Sequence, residues 1–158
     1  VIRDMGDGDM EWAEQLIGSD FGGRWQARKG ELVDALGHRG LVAVDNADPS
    51  VRAGLLTYWA DDEQVEIVTF QAVERHRGAG SALLQRLVEL AGGRRVWLIT
   101  TNDNLDALRF YQRRGFVMSG LFPGAADRAR ASLKPTIPAV GDYGIAVRDE
   151  IELTYLPR

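Results

Sequence analysis

Arg75, Arg77, Gly78 and Gly80 stand in a short loop between an apolar stretch, Val65 to Phe70, and a run with helical spacing, Ala79 to Ala91. The chemistry this arrangement suggests is phosphate binding. The first backbone N–H groups of a helix have no acceptor within it, and the helix dipole concentrates partial positive charge there. A side chain at Gly78 or Gly80 would hold an oxyanion away from those amides, whereas the arginines add charge-assisted donors. A glycine turn between strand and helix also occurs as a plain connection, so a second motif is needed to assign it.

The helix that must hold this loop is well supported. Ala79, Leu83, Leu87 and Leu90 recur at helical spacing, Gly80, Leu84 and Val88 lie beside them, and Ser81, Gln85, Arg86 and Glu89 face outward. The whole chain has 158 residues, which suits one domain over 1–158 with a sizeable core. Its net charge of −4 argues against nucleic acid as a main partner. Cysteine is absent, which excludes disulfides, thiolate metal sites and a cysteine nucleophile. His38 and His76 are far apart in sequence, so no metal is expected. No apolar run reaches the ~18 residues of a membrane span, and the start lacks a basic-then-apolar signal, so a cytoplasmic location is expected.

The other elements follow in order. Val1 to Met5 reads as a strand, Gly6 to Asp9 as a turn that supplies Asp as a helix cap, and Asp9 to Ile17 as a helix ended by Gly18. Phe21 to Arg28 reads as a solvated loop pinned by Trp25 among Arg24, Arg28 and Lys29. Glu31 to Leu36 reads as a short helix. Leu41 to Val44, Ala53 to Trp59 and Val65 to Phe70 form three successive strands joined by turn-forming residues. Val96 to Thr100 is a strand, Leu105 to Arg114 a helix with Gly115 at its end, and Phe116 to Phe122 a strand in which Gly120 marks a bulge or close approach. From Pro123 to Arg148 the pattern loosens, with a short helix at Ala125 to Leu133. Glu150 to Tyr155 closes the chain as a half-buried strand. This order is α+β, or mixed α/β, and does not match a dinucleotide-binding alternation.

Two motifs together resemble the GNAT superfamily of acetyl-CoA-dependent N-acetyltransferases. Its cofactor loop, Q/R-x-x-G-x-G/A, is met by Arg75-His76-Arg77-Gly78-Ala79-Gly80. The register beginning at Arg77 also fits, but the first places Leu83, Leu84 and Leu87 on the apolar face of the helix. Ala72 stands where members often carry proline. The second motif, N-x-x-A-x-x-x-Y-x-x-x-G-F after a strand, is met by Asn104, Ala107, Tyr111, Gly115 and Phe116. The resemblance covers about Leu41 to Phe122.

The resemblance implies a mostly antiparallel, twisted central sheet of about six to seven strands, with helices on both faces, splayed to admit acyl-CoA. Acetyl-CoA, as co-substrate, would pair its pantetheine arm with the backbone of Phe70, Gln71, Ala72 and Val73. Its pyrophosphate would meet the amides of Arg77, Gly78, Ala79, Gly80 and Ser81, with Arg75 adding charge and His76 lying in the same loop. Asn104 serves both as helix cap and as a cofactor contact, with Ala107 beside it. Glu66 is the candidate general base for an amine acceptor, its other reading being a charged residue on the wet face of a strand. Tyr111 is the candidate general acid at the departing thiolate; by spacing alone it reads as packing.

No cysteine and no G-x-S-x-G is present to form an acyl-enzyme, so direct transfer in a ternary complex is expected. The acceptor pocket would be built by Ser19 to Leu36 and Pro123 to Arg148. The acceptor itself would be an amine, a small molecule rather than a protein, and a homodimer would follow family habit. Glu150 and Glu152, or Asp61 and Asp62, are placed to meet a cationic amine, although a solvated strand face is the preferred account of the glutamates. Two other readings stand: a non-catalytic acyl-CoA-binding or regulatory module, and a nucleotide-phosphate-binding transferase. The second lacks the G-x-x-x-x-G-K-S/T pattern it would need.

Overall fold

Residues 1–20, 23–73 and 78–157 are described by a computed structural model. The chain divides into two compact units, Val1–Arg24 with Asp34–Val96, and Trp25–Val33 with Trp97–Arg158.

In the first unit β1 (Ile2–Asp4), β4 (Arg39–Val44), β5 (Arg52–Ala60) and β6 (Gln64–Ala72) lie side by side and antiparallel. The runs in β4 and β5 are almost continuously apolar because both faces are covered by helices. Val42, Val44 and Leu55 point to one face and pack against Ala13 and Ile17 of α1 (Met10–Asp20), together with Ala35 and Leu36. Gly54 points to the other face and meets Leu83 of α2 (Ala79–Ala91). Helix α2 buries Gly80, Leu83, Leu84, Leu87 and Ala91, at about 1.5–3 kcal/mol for each buried leucine. It stops where Gly92 (φ 59°) and Gly93 (φ 87°) turn left-handed. There Arg94 donates to the carbonyls of Ala91 and Leu90, at the end of the helix where positive charge is favoured.

Three expectations for this unit are corrected. Helix α1 does not end at Gly18 but runs to Asp20, after a single 3₁₀ turn at Asp7–Asp9. A glycine costs only about 1 kcal/mol inside a helix whose apolar face is packed. Asp9 does not cap forward: its carboxylate reaches back to accept the Gly6 N–H at 2.8 Å. It also accepts two hydrogen bonds from Arg3 and one from Arg52 Nε at 2.7 Å, and it is 2% exposed. Arg24 is likewise no solvated cation, since it holds Asp34 through two 2.8 Å contacts and Glu14 through one of 2.6 Å.

The second unit is built on three antiparallel strands in the order β7 (Arg95–Thr101), β9 (Glu150–Tyr155), β8 (Phe116–Phe122). One face carries Leu98, Leu153, Tyr155 and Phe116, the last against α3 (Leu105–Gln112). Gly120 sits beside a bulge: Ser119 is the extra residue between the Met118–Leu153 and Gly120–Glu152 pairs. Helix α4 (Ala125–Ser132) stands where the sequence places it.

The loop and helix expected before residue 37 are replaced by a hairpin, β2 (Trp25–Arg28) and β3 (Glu31–Asp34). Lys29 (φ 50°) and Gly30 (φ 76°) are both left-handed, as a two-residue type I′ turn requires. Trp25 is not a buried anchor; it is 51% exposed.

Among the described residues, seven strands in two antiparallel sets, the separate hairpin and four α-helices make an α+β fold. Among the described residues no helix is long and apolar enough to cross a membrane.

The hydrogen bonds from Arg3, then those from Gly6 and Arg52, hold the Asp9 carboxyl well below the ordinary carboxylate range. A depressed folded pKa stabilises the fold fully above the unfolded value of about 4, and that stabilisation is lost as pH falls towards the folded value. Asp9→Asn is therefore expected to cost about 2 kcal/mol at pH 7 and to flatten the acid limb of stability against pH below about 4, as read from denaturant midpoints.

Candidate functional site

The glycine loop enters α2 through Gly78, which caps the helix at φ 88° and ψ −9°, a left-handed conformation that favours glycine. Among the described residues Ala82 N–H donates to Gly78 O at 2.9 Å, and the amides of Ala79 to Ser81 stand in the first turn before it. A Cβ at Gly78 would meet nothing within 4 Å among the described residues. A phosphate oxygen can come up to the backbone there, and a side chain would fill the approach. Gly80 is buried on the packed face of the helix. Arg75, His76 and Arg77 lie outside the described residues.

Strand β6 leads into this loop. Val73 donates its N–H to Ala53 O at 2.8 Å, so one edge of the segment is taken by β5. Alternation along a strand turns the amide and carbonyl groups of Phe70 and Ala72 to the opposite edge, and those of Gln71 and Val73 towards β5. The side-chain Oε1 of Gln71 is buried and takes no hydrogen bond among the described residues, so a donor at this point would complete it. Val68 is the extra residue of a bulge between the Thr57–Thr69 and Tyr58–Ile67 pairs. Beyond the bulge Glu66 pairs with Trp59, whose indole N–H donates to Glu66 Oε1 at 2.5 Å. Glu66 is 1% exposed, which removes the wet-face reading.

In the second unit Asn104 caps α3: its Oδ1 accepts the Ala107 N–H at 3.3 Å, and its Nδ2 donates to Thr100 Oγ1 at 3.1 Å. One amide hydrogen is thus used within the fold. Tyr111 is buried one helical turn beyond Ala107, with its ring edge-on to Phe110 (5.3 Å) and Phe116 (5.1 Å). Burial pushes its phenol well above the ordinary value, so it keeps its proton throughout the neutral range. Gly115 (φ 93°) leaves room for the Tyr155 ring, which a Cβ would meet at 3.1 Å.

The profile of the acetyltransferase (GNAT) family matches residues 12–116. The chain belongs to this family. YdhI of Bacillus subtilis (strain 168) is 42% identical over 115 residues, 71% of this chain and 70% of its own. The fold is shared with an IAA acetyltransferase from Bacillus cereus, at TM-score 0.70 and 18% identity, over 98% of this chain and 97% of that one. It is also shared with Arabidopsis thaliana NAA60, solved with a bisubstrate analogue, at TM-score 0.69 and 22% identity, over 98% and 96%.

One feature of this GNAT chain escaped the sequence. Glu150 and Glu152 do not form a solvated strand face: they are 3% and 8% exposed. The tip of the β2–β3 hairpin covers them. Glu150 Oε1 accepts the backbone N–H of Lys29 at 2.9 Å, Glu152 Oε2 lies 3.3 Å from Lys29 Nζ, and Glu152 Oε1 accepts from Ser119 Oγ. The Lys29 ammonium also lies 4.7 Å from the centre of the Trp97 ring. Strand register puts Glu150, Glu152, Trp97 and Phe122 on one face of the three-stranded set, opposite the face that carries Phe116 and Tyr111. The available signal was Lys29-Gly30 between two four-residue strands, but a lysine in place of the usual asparagine or aspartate conceals a type I′ turn. Asp61, the other acidic candidate, spends its carboxylate on the Glu63 and Gln64 amides of its own turn.

Proposed function

We propose that this chain is an N-acetyltransferase that moves an acetyl group from acetyl-CoA to a primary amine by direct attack in a ternary complex in the cytoplasm. The observation that carries the reading is Gly78, a left-handed helix cap whose Cβ position meets no described residue, at the N-terminus of a helix packed along one face. The amides that follow it suit a pyrophosphate, with Arg75, His76 and Arg77 completing the cradle. Phe70 and Ala72 offer the backbone groups for a pantetheine arm, with Gln71 and Val73 between and after them, and Asn104 and Ala107 contribute from the second motif. Bound there, acetyl-CoA supplies an activated acyl group on a thiolate leaving group.

An alkyl ammonium titrates near 10.4, so the acceptor must lose a proton before its nitrogen can attack. Glu66 takes that proton, directly or through water. Its burial beside Trp59 keeps bulk water from the carboxylate, which strengthens its electrostatic influence. Tyr111 donates a hydrogen bond to the sulfur as the C–S bond breaks. Its phenol is a weaker acid than a thiol, so it stabilises developing charge more than it gives up its proton.

Titration calorimetry is expected to show acetyl-CoA and CoA binding to the wild type and no binding to Gly78→Glu, which fills the cradle with a side chain and a like charge. A wild type that binds neither overturns the reading. With an accepting amine, initial-velocity lines at several acetyl-CoA concentrations are expected to intersect; parallel lines would mean an acyl-enzyme. Tyr111→Phe keeps the packed ring and is expected to lower kcat about 100-fold with little change in acetyl-CoA affinity. An unchanged kcat would leave Tyr111 a packing residue.

A further inference from the structure

A cavity of about 320 Å³ lies within the second unit, between the hairpin tip, α4 and β9. At roughly 30 Å³ per water it has room for a small organic molecule. Phe122 and Leu133 give it apolar wall, and the rest of its lining carries both signs of charge.

Glu150 is buried on this wall. Its Oε1 accepts the Lys29 N–H, but its Oε2 takes no hydrogen bond and the carboxylate has no cationic partner among the described residues. A carboxylate in that position is costly unless something arrives to pair with it. Arg128 lines the same cavity. Its Nη1 donates to the Pro123 carbonyl at 3.0 Å, and its guanidinium has no carboxylate partner among the described residues. The two charges form no ion pair with one another, and Lys29, the other cation of the lining, spends its ammonium on Glu152 and the Trp97 ring.

This charge pattern selects among ligands. A simple amine would pair with Glu150 and add a like charge beside Lys29 and Arg128. A simple carboxylate would do the reverse. A molecule that carries an ammonium and a carboxylate together matches both ends and leaves neither charge unanswered.

We propose that this cavity binds a small zwitterionic amino acid, with its ammonium at Glu150 and its carboxylate towards Arg128. This binding does not depend on the acetyltransferase reading. No residue so far assigned to acetyl-CoA or to catalysis takes part in it.

The test is titration of the full chain, without acetyl-CoA, with the common L-amino acids. The tightest binder is then compared with the amine that lacks its carboxylate and the acid that lacks its amine; for leucine these are isopentylamine and isocaproate. The amino acid is expected to bind at least about tenfold more tightly than either. Glu150→Gln, which keeps an acceptor for the Lys29 amide, and the exposed Arg128→Ala are each expected to weaken it by about tenfold or more while acetyl-CoA affinity is unchanged. Gly78→Glu is expected to leave amino-acid binding intact. The proposal is overturned if no amino acid binds, if isopentylamine or its counterpart binds as tightly as the parent, or if Glu150→Gln has no effect. Amino-acid binding with the expected losses in a wild type that binds no acetyl-CoA would uphold the cavity and overturn only the transferase reading.

Discussion

The close approach of α2 to β5 is the contact on which the cradle depends. A Cβ on Gly54 would fall 2.9 Å from Leu83 Cδ1 and 3.0 Å from the Gln71 carbonyl oxygen, so only glycine lets the helix come down this far. Leu83, Leu84 and Leu87 then hold the helix to the sheet, and its N-terminal amides are held in place ahead of the anion proposed for them. A looser helix would present the same amides with less use. Gly78 stands at the proposed phosphate cradle, but the glycine that lets its helix seat this closely is Gly54, on β5.

Buried carboxylates hold the rest in place, and the structure treats them in three ways. Asp9 is fully answered by two arginines and a backbone amide, and acts as a clip between the first turn, β1 and β5. Glu66 is buried against an indole N–H, without which its charge could not be kept from water at low cost. Glu150 is answered on one oxygen only. The first arrangement is complete in itself and reads as structural. The third is incomplete and faces a cavity, which is why a ligand is the natural partner for it.

Tyr111 shows how packing and chemistry share one residue. Its ring belongs to an aromatic cluster with Phe110 and Phe116, and Phe116 in turn meets Tyr155. The same burial keeps the phenol protonated, which suits a donor and would disqualify a base. The packing account and the functional account of this position are therefore compatible, and the phenylalanine substitution separates them because it removes only the oxygen.

What the sequence determined by itself was local. The helical period of α2, the glycines at its two ends, the Asn104 cap, Gly115 beyond α3 and the bulge next to Gly120 all depend on residues within a few positions of one another, so spacing alone reveals them. The two family motifs are legible for the same reason. Tertiary structure alone decided what lies over each face. Alternation in β9 put Glu150 and Glu152 on one side, but only Lys29, 121 residues upstream of Glu150, made that side a buried one. The stretch at residues 31–34 fits a helix or a strand equally well over so few residues. Pairing with residues 25–28 across a left-handed Lys29-Gly30 turn settled it, because hydrogen bonds to a partner strand outweigh the weak preferences of four residues.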